Sequence, residues 1–324
     1  MPSVEFKTEH WTLDTPLVIT GYSMSDLRTL YVEIRDGELI GKGEAAGVYY
    51  TGETADSMLA QAQSVQSDLE SGTDRKKLLH LLPSGGARNA IDAALWDLEA
   101  KKTRKTIWEL VDLQLDDTIT VATVGIDTPD RMAERAKQLP STKIKIKVNG
   151  EDPLNQIAAV RGARPDVELV IDANQGWTYQ QLVEIASSVG DLGVTMIEQP
   201  LPRGGDDKLE GYECPVPLCA DESCLDESEL EQAAARYDMI NIKLDKVGGL
   251  TAGLDLAHKA RALNLGLMVG NMAGTSLAMA PGLVIAQLCD LVDLDGPILL
   301  TEDREHPLQY DNGQVSGLTP KLWG

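Results

Sequence analysis

The sequence predicts an α/β protein: a (β/α)7β TIM-type barrel over residues 116–297, preceded by an α+β capping domain over residues 1–115 that a C-terminal segment, residues 298–324, returns to complete. Three observations carry this. From about Thr118 onward, short runs rich in β-branched residues alternate with helical segments, the signature of parallel βαβ units. Eight such runs follow one another, and eight close a barrel more readily than they extend an open sheet. Before them strands come first and helices after; behind the last run no helical pattern follows, only a stretch with Pro307 and several glycines.

Residues 4–13 (VEFKTEHWTL), 28–34 (RTLYVEI) and 38–45 (ELIGKGEA) read as strands, and the Asp36-Gly37 pair turns the second into the third as a hairpin. Apolar residues at helical spacing run from Ala55 to Leu69 and again from Ala87 to Lys102, where Ala90, Ile91, Ala94, Leu95 and Leu98 share one face. The barrel runs are TITVATVGI (118–126), KIKIKV (143–148), ELVIDAN (168–174), VTMIEQP (194–200), PLCADE (217–222), MINIKLD (239–245), LMVGNM (267–272) and LVDLDGP (291–297).

A parallel barrel carries its chemistry at the C-terminal ends of its strands. Those ends hold Lys145 and Lys147 on the second strand, Asp172 on the third, Glu198 on the fourth, Asp221 on the fifth, Lys243 on the sixth, and Asp293 and Asp295 on the eighth. From Lys147 to Lys243 successive members lie one βα unit apart, so the chain returns each time to the same rim. Asp172, Glu198 and Asp221 bring three carboxylates together, and such a like-charge cluster stays ionised only beside a cation. Oxygen-only ligation favours a hard ion such as Mg2+.

On the second strand Lys143, Lys145 and Lys147 share one face and Ile144, Ile146 and Val148 the other. Helices cover the outside of a barrel, so the apolar face points outward and the lysines inward. Lys143, furthest from the rim, is read as a solvated group at the barrel bottom. Lys243 comes from the opposite wall, and two lysines across a metal site are placed to act on both faces of one carbon.

The 324 residues suit about two domains at ~150 residues each. With 51 acidic against 29 basic residues the net charge is −22, which argues against a nucleic-acid partner. No apolar stretch approaches the ~20 residues of a membrane span, and the N-terminus lacks the features of a signal peptide, so neither membrane nor export is expected and the cytoplasm is the expected compartment. Four cysteines, three of them Cys214, Cys219 and Cys224, are too few for a disulfide framework and are read as reduced.

TKIKIKVNG, IDANQGW, IEQP, ADES and NIKLDKVGG resemble, in order and spacing, the barrel motifs of the muconate-lactonizing subgroup of the enolase superfamily. DLDGP is similar to the Asp-x-Asp signature of that subgroup's dipeptide epimerases, especially the bacterial L-Ala-D/L-Glu epimerases, and the likeness extends to ARNAIDAALWDLEAK in the capping domain. The resemblance implies that Asp172, Glu198 and Asp221 hold Mg2+, that Lys147 and Lys243 are the acid/base pair, and that Lys145 assists electrostatically. It implies that Asp293 and Asp295 bind the α-ammonium group of a small dipeptide, with Met24, Tyr50, Asn271 and Met272 also beside the substrate. Asn174 and Glu222 would support the ligands and lysines. The reaction implied is epimerisation through an enediolate, for which burial beside other cations is expected to lower the proton affinity of the lysines. A homo-oligomer is compatible with all of this. A cycloisomerase, an o-succinylbenzoate synthase or an N-acylamino acid racemase would share the metal and lysine set; the first two would give no reason for the carboxylates at Asp293 and Asp295.

One departure stands out. In the Glu-selective epimerases that the chain resembles, an arginine of the mobile loop after the first strand pairs with the substrate's side-chain carboxylate. Here that stretch is ITGYSMSDLR, with Gly21 and Met24 where arginines are expected and Arg28 the nearest basic residue. The second capping loop, GVYYTGET, offers Tyr49, Tyr50 and Thr51 but no cation.

Overall fold

The computed structural model describes residues 2–324, and its N-terminal sheet is longer than the local sequence pattern suggests. Strands β1 (Ser3–Ile19), β2 (Tyr22–Asp36) and β3 (Leu39–Ala45) form an antiparallel sheet in that order. The stretch ITGYSMSDLR (residues 19–28), expected to be a loop, runs from the end of β1 through the hairpin tip into β2, so the far half of the β1–β2 hairpin is strand. Asp14-Thr15-Pro16 reads as a strand breaker, yet the ladder only shifts register there: Thr12 pairs with Asp26, then Leu17 with Met24 and Ile19 with Tyr22. The hairpin tip rests on the barrel, where Ile126 N–H donates to the Val18 carbonyl at 2.9 Å and the Thr20 hydroxyl to the Ala173 carbonyl at 2.9 Å.

Behind the sheet lie helices Ala55–Ser64, Gln66–Glu70, Arg75–Leu81, Gly86–Thr103 and Ile107–Val111, so the run expected from Ala55 to Leu69 is interrupted at Val65. The long helix Gly86–Thr103 packs on Leu30, Val32 and Ile34 through Ala90, Ile91, Ala94 and Leu98. That approach explains the GKG of β3: a Cβ at Gly41 would stand 2.1 Å from the Ala94 carbonyl oxygen, and one at Gly43 2.0 Å from that of Ala90.

The first barrel run divides in two. Strand β4 (Thr118–Ile119) leaves the barrel, while β5 (Ala122–Val124) begins it. It continues through β6 (Lys143–Lys147), β7 (Glu168–Asp172), β8 (Val194–Glu198), β9 (Leu218–Ala220), β10 (Met239–Lys243), β11 (Gly266–Gly270) and β12 (Leu291–Val292), one parallel eight-stranded sheet. Val121 N–H closes the ring onto the Val292 carbonyl at 2.9 Å. The C-terminal strands β13 (Gln309–Asp311) and β14 (Gln314–Ser316) form a hairpin that pairs with β4. On either side of it the tail meets the capping domain: Thr301 N–H donates to the Thr12 carbonyl, Arg304 pairs with Glu9 and Glu44, and the Trp323 indole donates to the Ala93 carbonyl.

Ile144, Ile146 and Val148 pack outward into the main core, as alternation requires. Inside the barrel, Val121, Val170, Met196, Cys219, Met268 and Leu291 fill a lower apolar layer, which leaves only the upper layer for charge. Lys143 sits at the bottom rim, 2.9 Å from Glu168. All four cysteines are free thiols, and no helix among the described residues is long and apolar enough to cross a membrane.

Candidate active site

Above the apolar layer, inward-facing residues at the ends of β6 to β12, with Lys246 from the turn after β10, form an ionic layer taken out of water, Asp172, Glu198, Asp221, Lys145 and Lys246 each being at most 3% exposed. Lys147 Nζ lies 2.6 Å from Asp172, and Lys243 Nζ lies 2.7 Å from Asp221. Lys145 Nζ is shared among Glu198 at 2.6 Å, Asp293 at 2.7 Å and Asp172 at 3.3 Å. Among the described residues no three carboxylates converge on one point at ligand distance; ammonium groups stand between them instead.

The electrostatics follow from that pairing. Burial disfavours every charge here, but the ion pairs outweigh it: Lys147 and Lys145 hold the Asp172 carboxyl below the ordinary carboxylate range, and Lys243 and Lys246 hold Asp221 well below it. Glu198, penalised by burial and by Asp172, is shifted up. Lys145 and Lys243 are raised despite burial, Lys145 chiefly by Asp293 and Glu198 and Lys243 chiefly by Asp221 and Glu198. The expected fall in proton affinity is therefore not present at Lys145 or Lys243 in this arrangement, because carboxylates rather than cations are their nearest neighbours. Glu222 is pushed up to about 8 by burial and by Asp221, and Asp295 up to about 7 by burial and by Asp293.

A cavity of about 320 Å³ opens at the strand ends beneath the β1–β2 hairpin. Lys147 and Lys243 both line it, from β6 and β10 across the barrel. So do Asp221, Asn174, Glu222, Asp293, Asp295, Asn271, Met272, Met24 and Tyr50, whereas Lys145, Asp172 and Glu198 lie beneath. Asn174 orients Asp172, its backbone N–H donating to Oδ1 at 2.8 Å, and the Asn271 amide donates to the Asp293 carbonyl at 2.8 Å. Asp295 accepts the Thr123 N–H at 2.8 Å, which fixes it beside Asp293.

Three supporting residues escaped the sequence reasoning. Lys246 donates to Asp221 Oδ1 at 2.7 Å and to the backbone carbonyls of Asp221, Cys224 and Asn241. Asn241 donates to Glu198 Oε1 at 2.8 Å, and Gln199 accepts the N–H groups of Asp221 and Ser223. Asn241 shares the inward face of β10 with Lys243, a signal the alternation carried; Gln199 and Lys246 were marked only by their places within the IEQP and NIKLDKVGG motifs.

The capping domain closes the cavity with aromatic and apolar groups. Tyr22 stacks on Tyr49 with ring centres 4.5 Å apart, and Tyr49 meets Tyr50 edge-on at 5.2 Å. The Tyr50 hydroxyl is buried without a hydrogen-bond partner. Tyr22, Met24, Asp26 and Arg28, at alternate positions of β2, line the wall with Leu17 and Ile19 of β1. Besides the two lysines, Arg28 is the one cation lining the cavity among the described residues, and both its terminal nitrogens are taken by Asp56 at 2.9 and 2.8 Å.

The donor set suits a hard divalent cation: three buried carboxylates on adjacent strands, oxygen only, which among the described residues are balanced by ammonium groups.

Residues 1–112 match the mandelate racemase / muconate lactonizing enzyme N-terminal domain, and residues 128–319 match the enolase C-terminal domain-like model. The chain is 41% identical over 319 residues to the L-Ala-D/L-Glu epimerase of Escherichia coli K12, covering 97% of this chain and 99% of that one. It superposes with TM-score 0.97 and 36% identity, over 100% of both chains, on an Agrobacterium tumefaciens enolase family member with homology to dipeptide epimerases, solved with sodium and L-Ala-L-Glu. A dipeptide epimerase from Methylococcus capsulatus, complexed with Mg and L-Arg-D-Lys, superposes with TM-score 0.89 at 28% identity over 97% of this chain and 96% of that one.

Proposed function

The chain belongs to the mandelate racemase / muconate lactonizing enzyme family of the enolase superfamily, and from that premise we propose that it is a Mg2+-dependent dipeptide epimerase, an isomerase that inverts the Cα of a dipeptide's C-terminal residue. One observation carries the reading: Lys147 and Lys243 face a single cavity from opposite walls, with buried carboxylates below them and the Asp293–Asp295 pair at one end. Relatives that are epimerases over their whole length support it.

Asp172, Glu198 and Asp221 would hold the Mg2+. Once bound, the ion would supply positive charge to the substrate carboxylate and, by taking Asp221 and Glu198, would loosen the hold of Lys243 on its proton. Removing the Cα proton places a second negative charge on that carboxylate, giving an enediolate, and Lys145 lies in the same layer to stabilise it. One of Lys147 and Lys243 takes the proton and the other returns one to the opposite face. Asp293 and Asp295 receive the substrate's ammonium group, a free cation that a pair of buried carboxylates suits. Asn174 orients Asp172, and Glu222 borders the cavity beside Asp221.

For the inverted residue's side chain, the wall of Ile19, Tyr22, Met24 and Tyr49 favours apolar groups. L-Ala-L-Glu is the second reading, favoured by the 41% identity to the Escherichia coli enzyme and by the dipeptide bound in the Agrobacterium structure. Incubating the protein with Mg2+ and a library of L-Ala-L-Xaa and L-Xaa-L-Glu dipeptides in D2O, and reading Cα deuterium by mass spectrometry, tests the activity and ranks the substrates. No deuterium in any dipeptide would refute it.

A further inference from the structure

The turn that follows Lys243 does more than end its strand. Leu244–Val247 is one short helical turn, and its residues point in different directions. Lys246 pins Asp221 from below. Asp245 instead reaches the capping domain: buried at 7% exposure, it accepts the Gly47 N–H on Oδ1 at 2.7 Å. Among the described residues it has no cation partner. Burial and the nearby Glu53 and Glu44 push its carboxyl up to about 7, against the pull of the Gly47 N–H.

The segment it holds has little room to be held otherwise. Gly47 has φ +79, and a Cβ there would stand 2.9 Å from the Met58 sulfur and 3.1 Å from Glu53 Oε2. Glu53 staples the same segment from its far end, accepting the Val48 N–H at 2.9 Å and the Gly86 N–H at 3.0 Å. Glu53 and Gly86 both belong to the capping domain, so that staple sets the segment's shape. The Asp245 bond runs from the segment to the barrel. Between the two staples lie Tyr49 and Tyr50, which line the cavity.

We propose that Asp245 is a positioning residue that seats the 46–53 segment on the barrel, so that the tyrosines over the substrate are set against Lys243 through a single turn of chain. A buried carboxylate bonded to a backbone N–H is a strong, directional anchor, and its removal leaves the Gly47 N–H buried without an acceptor. The dipeptide part of the test rests on the function proposed above; the exchange part does not.

Amide hydrogen exchange followed by mass spectrometry of the full-length protein is the first measurement. In Asp245→Ala, exchange of peptides spanning 46–53 is expected to rise about tenfold, the loss of one anchoring hydrogen bond, while peptides spanning 239–243 stay protected. Asp245→Asn, which keeps an acceptor oxygen, is expected to restore most of the protection. With L-Ala-L-Xaa substrates, Asp245→Ala is expected to raise KM by a similar factor and leave kcat within about threefold, because the tyrosines bind and Lys243 is untouched. Unchanged exchange in 46–53, or a fall in kcat with KM unaltered, would overturn the assignment. If the wild-type protein turned over no dipeptide, the epimerase reading would fall and the exchange data alone would decide this one.

Discussion

A glutamate side chain in this cavity meets a wall without a free cation, and the consequence is large enough to rank substrates. Ile19, Tyr22, Met24 and Tyr49 surround the space, and Arg28 is engaged on both terminal nitrogens by Asp56. A carboxylate that loses water there without a partner costs about 1–3 kcal/mol, which at 1.4 kcal/mol per tenfold is about 5- to 100-fold in kcat/KM. An apolar side chain suffers no such loss and buries surface against Met24. We therefore expect L-Ala-L-Leu and L-Ala-L-Met to be epimerised at least as efficiently as L-Ala-L-Glu. Met24→Arg places a guanidinium on the cavity face of β2 and is expected to raise the Glu-to-Leu ratio about tenfold or more, the recovery of that cost. Asp56→Asn releases Arg28 and is expected to shift the ratio the same way by a smaller factor, since the pair is exposed to solvent. The assay is polarimetry, or mass-spectrometric deuterium uptake, on purified L,L-dipeptides. A wild-type preference for L-Ala-L-Glu of more than tenfold over both apolar dipeptides would refute the reasoning and make Arg28 the carboxylate's partner.

Chelation with EDTA is expected to abolish turnover and added Mg2+ to restore it, whereas Asp221→Asn should not recover at ordinary Mg2+ concentrations; full activity of the chelated protein would remove the metal role of Asp172, Glu198 and Asp221. Lys147→Ala and Lys243→Ala should each lose epimerisation, a loss of at least 10²-fold for a missing general base, while each still exchanges the Cα proton of one epimer only; wild-type epimerisation by either variant would exclude two bases. Lys246→Met breaks a buried pair with Asp221 and is expected to lower stability by about 3–5 kcal/mol, read by urea unfolding. Asp92 and Asp245, whose carboxyls burial pushes up to about 6 and about 7, bind protons in the fold more tightly than in the unfolded chain. Their contribution is complete below the ordinary carboxylate value of 3.8 and is lost as pH rises from there through about 6 and about 7, so Tm should fall between about pH 4 and 7 and then level off, and fall less steeply in Asp92→Asn/Asp245→Asn; parallel curves for the two proteins would contradict this.

The sequence by itself determined the barrel and the positions around its rim. Alternation along KIKIK sends Lys145 and Lys147 inward and Ile144 and Ile146 outward, and one carboxylate or lysine per βα unit returns each to the same end, so these placements follow from local periods alone. What the tertiary structure decided depends on groups far apart in the chain. The β1–β2 hairpin runs on past Pro16 because its far half finds a ladder partner and a seat on Val148 and Ala173, contacts no local window contains. The first barrel run divides at Thr120 because β14, nearly two hundred residues later, captures Thr118 and Ile119. Lys246 and Gln199 acquire their parts in the site only through acceptors and donors that the closed barrel brings within hydrogen-bond distance. The proton affinity of Lys243 is likewise a sum over neighbours, with Asp221 and Glu198 arriving from other strands, and it goes up where residue type and burial alone predict a fall. Periodicity is encoded residue by residue, whereas electrostatic environment and lid placement are distances, and distances exist only once the chain has closed on itself.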